Sequence, residues 1–202
     1  MKSNHIPLSL KIAYTLMVAA IVPAYWVGYG PANFLWSSDI ALLVTVVALW
    51  REQRLLAGTM ALVALLPDGV WTLDYLLHLI AGHDLLGLNA TGYMFDATRP
   101  RWLRALSLFH IVLPGVLAFL VWRQGYDRRA LPAATLLAWA VLPLSYWISD
   151  VERNINWVHG LGADHVTLLP GGWHVLAMMV LLPLLVYLPT HLLLARLCPR
   201  PR

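Results

Sequence analysis

The feature that most constrains this chain is the recurrence of long apolar runs separated by short polar segments. Inside a bilayer no water satisfies backbone N–H and C=O groups, so a spanning segment must be a helix or part of a closed barrel. A helix needs about 20 residues to cross ~30 Å of hydrocarbon. Six runs meet or approach that length: 8–28, 34–50, 55–80, 102–122, 131–149 and 173–197. The second and fifth are at the short limit, and Pro67 is where the third is most open to a break. The expected fold is an all-α integral membrane protein, a bundle of six transmembrane helices in a single polytopic domain spanning residues 1–202. Composition agrees: 60% of the 202 residues are hydrophobic and only 12% are charged, whereas a soluble domain carries about a quarter charged residues.

The first run follows Lys2 and contains Lys11, as a signal peptide would, but it outlasts a usual apolar core and no A-x-A site closes it. It reads as a retained helix. The basic residues set orientation. Lys2, Lys11, Arg51, Arg54, Arg123, Arg128, Arg129, Arg196, Arg200 and Arg202 all fall on one side of a six-span chain. Only Arg99, Arg101, Arg104 and Arg153 fall on the other. The positive-inside rule then places both termini in the cytoplasm, in what is expected to be a bacterial inner membrane. The net charge of +4 therefore speaks for a lipid bilayer as partner and not for nucleic acid. A lone Cys198 excludes an intrachain disulfide framework, a CxxC pair and a zinc site built from several cysteines. Nothing in the chain speaks to oligomeric state.

Ionisable side chains within the apolar runs are costly and default to a functional reading. Asp39 lies just inside the outer end of the second run. Asp74 and His78 lie near the outer end of the third, and His110 in the outer part of the fourth. Asp150, Glu152, Arg153, Asn154 and Asn156 close the fifth, and His174 opens the sixth. Five runs thus bring such groups into one slab, on the order of 10 Å deep, beneath the non-cytoplasmic surface. Asp68, near mid-membrane, and His191, near the inner end, are exceptions. On a helical wheel Asp74, His78, Trp71, Tyr75 and Asp68 share one stripe of the third helix, which should face the bundle.

Asp74 and His78 are four residues apart and able to touch. With His110 and His174 they form a candidate metal-ligand set, with Asp39 or Asp150 as catalytic base or further ligand. Imidazole and carboxylate suit zinc with a position left open for water; a more carboxylate-rich selection suits iron or manganese. Trp71, Tyr75, Arg153 and Asn154 are candidate substrate contacts, Arg153 for an anionic headgroup. Each has a plainer reading. The helix residues can simply bond one another and fix packing. Arg153 can pair with Asp150 or Glu152, with asparagine capping a helix end. Ser37 and Ser38 in "NFLWSSD" read as caps, since no G-x-S-x-G elbow occurs. "RPRWLR", residues 99–104, reads as an interfacial anchor that snorkels.

Neither a rhomboid-type serine motif nor the histidine boxes of membrane desaturases is present. The chain is similar in residue types to intramembrane zinc hydrolases such as alkaline ceramidases and adiponectin-type receptors. It has six runs where they have seven helices, and lacks their closely paired histidines in the last one, so no family is assigned. The leading expectation is a membrane-embedded enzyme open to the non-cytoplasmic face. It would act on a lipid or other amphipathic substrate by metal-assisted hydrolysis or transfer. The alternatives are a proton-coupled carrier, which needs a polar path to the inner side, and a non-catalytic subunit whose polar cluster glues helices.

Overall fold

A computed structural model describes residues 5–162 and 165–199. Lys2, Arg200 and Arg202 of the orientation argument lie outside the described residues. The chain is all-helical: α1 Leu8–Gly28, α2 Ser37–Arg51, α3 Arg54–Ala81, α4 Arg101–Leu106, α5 Phe109–Gln124, α6 Ala130–Ile148, α7 Gly172–Leu182 and α8 Leu188–Leu197. Among the described residues the only β pairing is one bridge between Leu161 and Val166. Five stretches are long and apolar enough to cross a membrane: Leu8–Gly28, Arg54–Ala81, Arg101–Gln124, Ala130–Ile148 and Gly172–Leu197. The expected second span is shorter than predicted. A tight turn at Pro31–Leu35 takes its first residues and α2 starts at Ser37, leaving roughly 22 Å of helix at 1.5 Å per residue.

The surface is that of a protein in an apolar solvent. Val27, Ile80, Trp122, Trp147, Leu185 and Leu197 are all more than 60% exposed, while Asp68, Asp74 and His174 are each 1% exposed. In water such an arrangement would waste apolar area and strand charge; in lipid both faces are matched.

α3 is the central helix, packed against α2, α5 and α6. Its buried stretch Ala57–Ala64 is small or unbranched on several positions, which lets neighbours approach closely. It runs unbroken through Pro67, the point most open to a break. The predicted fourth span divides at Ser107–Leu108 into α4 and α5. The last span continues from α7 to α8 through a widened turn at Pro183–Tyr187, the local form that absorbs Pro183 and Pro189 without ending the helix. The inward stripe of α3 is as expected: Asp68, Trp71 and Asp74 are buried, while Leu66, Leu73 and Ile80 are exposed.

Polar contacts fasten the ends. Glu52, left-handed at the close of α2, accepts from Lys11 Nζ at 2.7 Å and from the Ile6 amide at 3.3 Å. The Lys11 hydrogen bond holds its carboxyl below the ordinary value of 4.5. On the opposite face the loop after α6 reaches back to α2. Asn156 Oδ1 accepts from the Ser37 amide and hydroxyl, both at 2.8 Å, and its Nδ2 donates to Leu35 O at 2.7 Å and Ser145 Oγ at 3.0 Å. The start of α2 is thus capped by a residue 119 positions away.

Candidate acid–base site

The most concentrated chemistry lies where α2, α3 and α5 meet. Asp68, halfway along α3, presents Oδ1 to two donors: Ser38 Oγ at 2.6 Å and His110 Nδ1 at 3.1 Å. Where Asp68 is ionised it can only accept, which puts the imidazole proton on Nδ1 and leaves Nε2 as the basic nitrogen. His110 is clamped between rings, with Trp71 at 4.5 Å and Phe109 at 4.1 Å. Its position also follows from the sequence. Pro114 has no N–H for the carbonyl one turn earlier, and that carbonyl, His110 O, faces Thr72 Oγ1 at 3.5 Å instead. The side chain is 15% exposed beside a carboxylate at 1%: an oriented base at the edge of a dry interior.

Asp39, adjacent to Ser38, brings a second buried carboxylate within electrostatic reach of Asp68. Asn33 Nδ2 donates to its Oδ2 at 3.2 Å. Asp39 Oδ1, Asp68 Oδ2 and Asp74 Oδ1 are buried without a partner in the protein. Leaving a polar atom so costs about 1–3 kcal/mol each, more for a charged group. All three of these carboxylate oxygens lie on α2 and α3.

The other predicted residues are dispersed. Asp74 does not bond His78; its Oδ2 accepts from the Thr91 amide at 3.0 Å and hydroxyl at 2.7 Å, which fastens the loop between α3 and α4 onto the bundle. His78 stacks on Phe95 at 3.9 Å, and its Nδ1 is buried without a partner. His174 has both nitrogens committed to backbone: Nδ1 accepts from the Leu168 amide at 3.0 Å, and Nε2 donates to Trp157 O at 3.0 Å. It has no lone pair left for a metal. Among the described residues no group of three or more His, Cys, Asp or Glu side chains is placed to hold a metal ion. The expected set Asp74, His78, His110 and His174 therefore has no shared centre here.

Asp150 is an exposed turn residue accepting from the Arg153 amide at 2.8 Å and pairing with its guanidinium at 3.8 Å. Asn154 is buried, left-handed, and bonded to Gly160 O and the His159 amide, so it shapes the loop. Tyr75 and Trp71 stack at 5.5 Å, and Tyr75 continues to Phe95 at 5.8 Å. Phe95, Tyr75, Trp71 and His110 thus form a continuous ladder of rings from the loop to the acid–base pair. Sequence reasoning missed Ser38 as a partner of Asp68, and Thr91 as the partner of Asp74.

Fold and site together define a class: an all-helical protein with several membrane-length helices and a part-buried Ser–Asp–His network between three of its helices. No family model, no curated protein and no solved structure matches the chain.

Proposed function

We propose that the chain crosses the membrane six times with both termini cytoplasmic, α2 completing its crossing through the capped turn before it. In that frame the Asp68–His110 pair is the acid–base centre of a membrane-embedded enzyme. The substrate is a lipid or other amphiphile entering from the non-cytoplasmic leaflet. The observation that supports this is the 3.1 Å bond from His110 Nδ1 to a carboxylate at 1% exposure, which leaves Nε2 free at the rim. His110 Nε2 takes the proton of the attacking hydroxyl or water, Asp68 stabilises the imidazolium that forms, and the proton then passes to the leaving group. Ser38 is no activated nucleophile in this scheme. It donates to Asp68 and has no bond to His110.

The test is reconstitution into phospholipid liposomes with lipid composition followed by mass spectrometry. Wild-type protein should generate a product that His110→Ala and Asp68→Asn do not, both variants remaining folded. A product unaffected by either substitution would remove the pair from catalysis.

One observation favours a second reading, proton transfer across the bundle. The orphaned oxygens of Asp39 and Asp68 are followed inward by the buried hydroxyls of Tyr14 and Thr45. A pH-sensitive dye trapped in the same liposomes separates the two. Proton entry that Asp68→Asn abolishes, without lipid turnover, would establish transfer.

A further inference from the structure

The four arginines assigned to the non-cytoplasmic side gather at one place. Arg99, Arg101 and Arg104 line a cleft of about 590 Å³ together with Phe95. Arg153 donates to Tyr29 O at 3.2 Å, and the Arg99 guanidinium covers the Tyr29 ring at 5.6 Å, so the fourth joins the same patch. Their compensation is unequal. Asp96 lies 3.3 Å from Arg99, and Asp150 lies 3.8 Å from Arg153. Arg101 and Arg104 have no carboxylate partner among the described residues. Arg104 donates only to the Met94 carbonyl, and its Nε is buried and unpartnered. Two guanidinium charges thus face one cleft without an anion. A phosphate group, with several acceptor oxygens and negative charge, is the chemistry that matches them.

Ring contacts link the wall of the cleft to the acid–base pair. Phe95 lines the cleft and also stacks on Tyr75, from which the ring ladder leads through Trp71 to His110. Arg104 precedes His110 by six residues, across the Ser107–Leu108 break between α4 and α5. A molecule with an anionic head in the cleft and an apolar body beside these rings matches that arrangement. We propose that the Arg101–Arg104 cleft is the headgroup subsite for a phosphate-bearing amphiphile, whose apolar portion lies along the ring ladder toward His110. This rests on the reading of an amphipathic substrate given above, and names its class.

Native mass spectrometry of the full chain in detergent tests it, with phosphatidic acid, diacylglycerol and inorganic phosphate as probes. Phosphatidic acid should be retained and diacylglycerol should not. Arg101→Gln should weaken retention about fivefold, the effect of one basic side chain at a membrane surface. Arg101 has no partner inside the protein, so this variant keeps its fold, whereas Arg104→Gln also frees the Met94 carbonyl. Displacement of phosphatidic acid by inorganic phosphate would show that the cleft takes phosphate from either source; failure to displace would assign it to the lipid alone. Equal retention of diacylglycerol, or full retention by Arg101→Gln, would overturn the proposal. His110→Ala should keep the preference for phosphatidic acid over diacylglycerol, because the headgroup contacts are on Arg101 and Arg104. Turnover retained in His110→Ala with phosphatidic acid binding intact therefore counts only against the acid–base reading, and turnover lost in His110→Ala with no Arg101 dependence of binding counts only against the subsite.

Discussion

At the residue scale, one carboxylate decides how its neighbours are used. His110 Nδ1 lies 3.1 Å from Asp68 Oδ1, and if an ionised Asp68 fixes the proton there, ¹⁵N NMR of labelled protein should show a single Nδ1–H tautomer that becomes a mixture in Asp68→Ala. Ser38→Ala removes a 2.6 Å bond but leaves that pair intact, and turnover should fall less than tenfold; a loss as large as that of His110→Ala would make Ser38 the nucleophile. His174 gives the contrasting case. His174→Ala removes the partner of the Leu168 amide and of the Trp157 carbonyl, two part-buried bonds, which should cost about 1–2 kcal/mol of stability in detergent melts. Much of this was hidden from the sequence for a physical reason. Spacing along one helix shows which side chains can meet, as Asp74 and His78 can, but not which of several acceptors a donor from another element will reach. Thr91 takes Asp74 because the loop delivers an amide and a hydroxyl together. His110, by contrast, was legible as a costly group in an apolar run, although Asp68 looked like the exception to the pattern and is its centre.

At the element scale, length and polarity marked the helices well where nothing but lipid and neighbouring helices competes for the backbone. The run at 8–28 coincides with α1, and 131–149 differs from α6 by one residue at each end. The departures sit where local chemistry offers the backbone another partner. Residues 31–35 turn before α2 because Asn156 accepts the Ser37 amide and donates to Leu35 O. The run at 102–122 divides where Ser107 pairs with the buried Tyr25 hydroxyl at 2.7 Å. Four hydrogen bonds meet on the Asn156 amide, so Asn156→Ala should destabilise the protein by about 2–4 kcal/mol, above an ordinary cap. Hydrogen exchange should then rise selectively in the first turn of α2. Uniform exchange across the bundle would contradict a local capping role.

At the scale of the whole molecule, the six-span orientation has a direct readout in the single cysteine. Cys198 follows α8, and burial pushes its thiol up from the ordinary value. A membrane-impermeant maleimide should label it only after the cytoplasmic side is opened, and faster as pH rises. Labelling of sealed, right-side-out vesicles would reverse the assignment. On the same face, the Glu52 carboxyl is held below its ordinary value of 4.5. Its pairing with Lys11 therefore contributes stability above that value, and loses it as pH falls through the lowered one. Proteolysis of the segment before α1 should quicken on acidification over that range. Last, the cap on α2 sets an order of events during synthesis. The ribosome delivers α2 long before it delivers Asn156, so for most of translation the amides that open this short helix have no partner from the later chain. The second helix is settled only after the sixth helical element is in place, and a nascent chain released before residue 156 would carry α2 as its loosest segment.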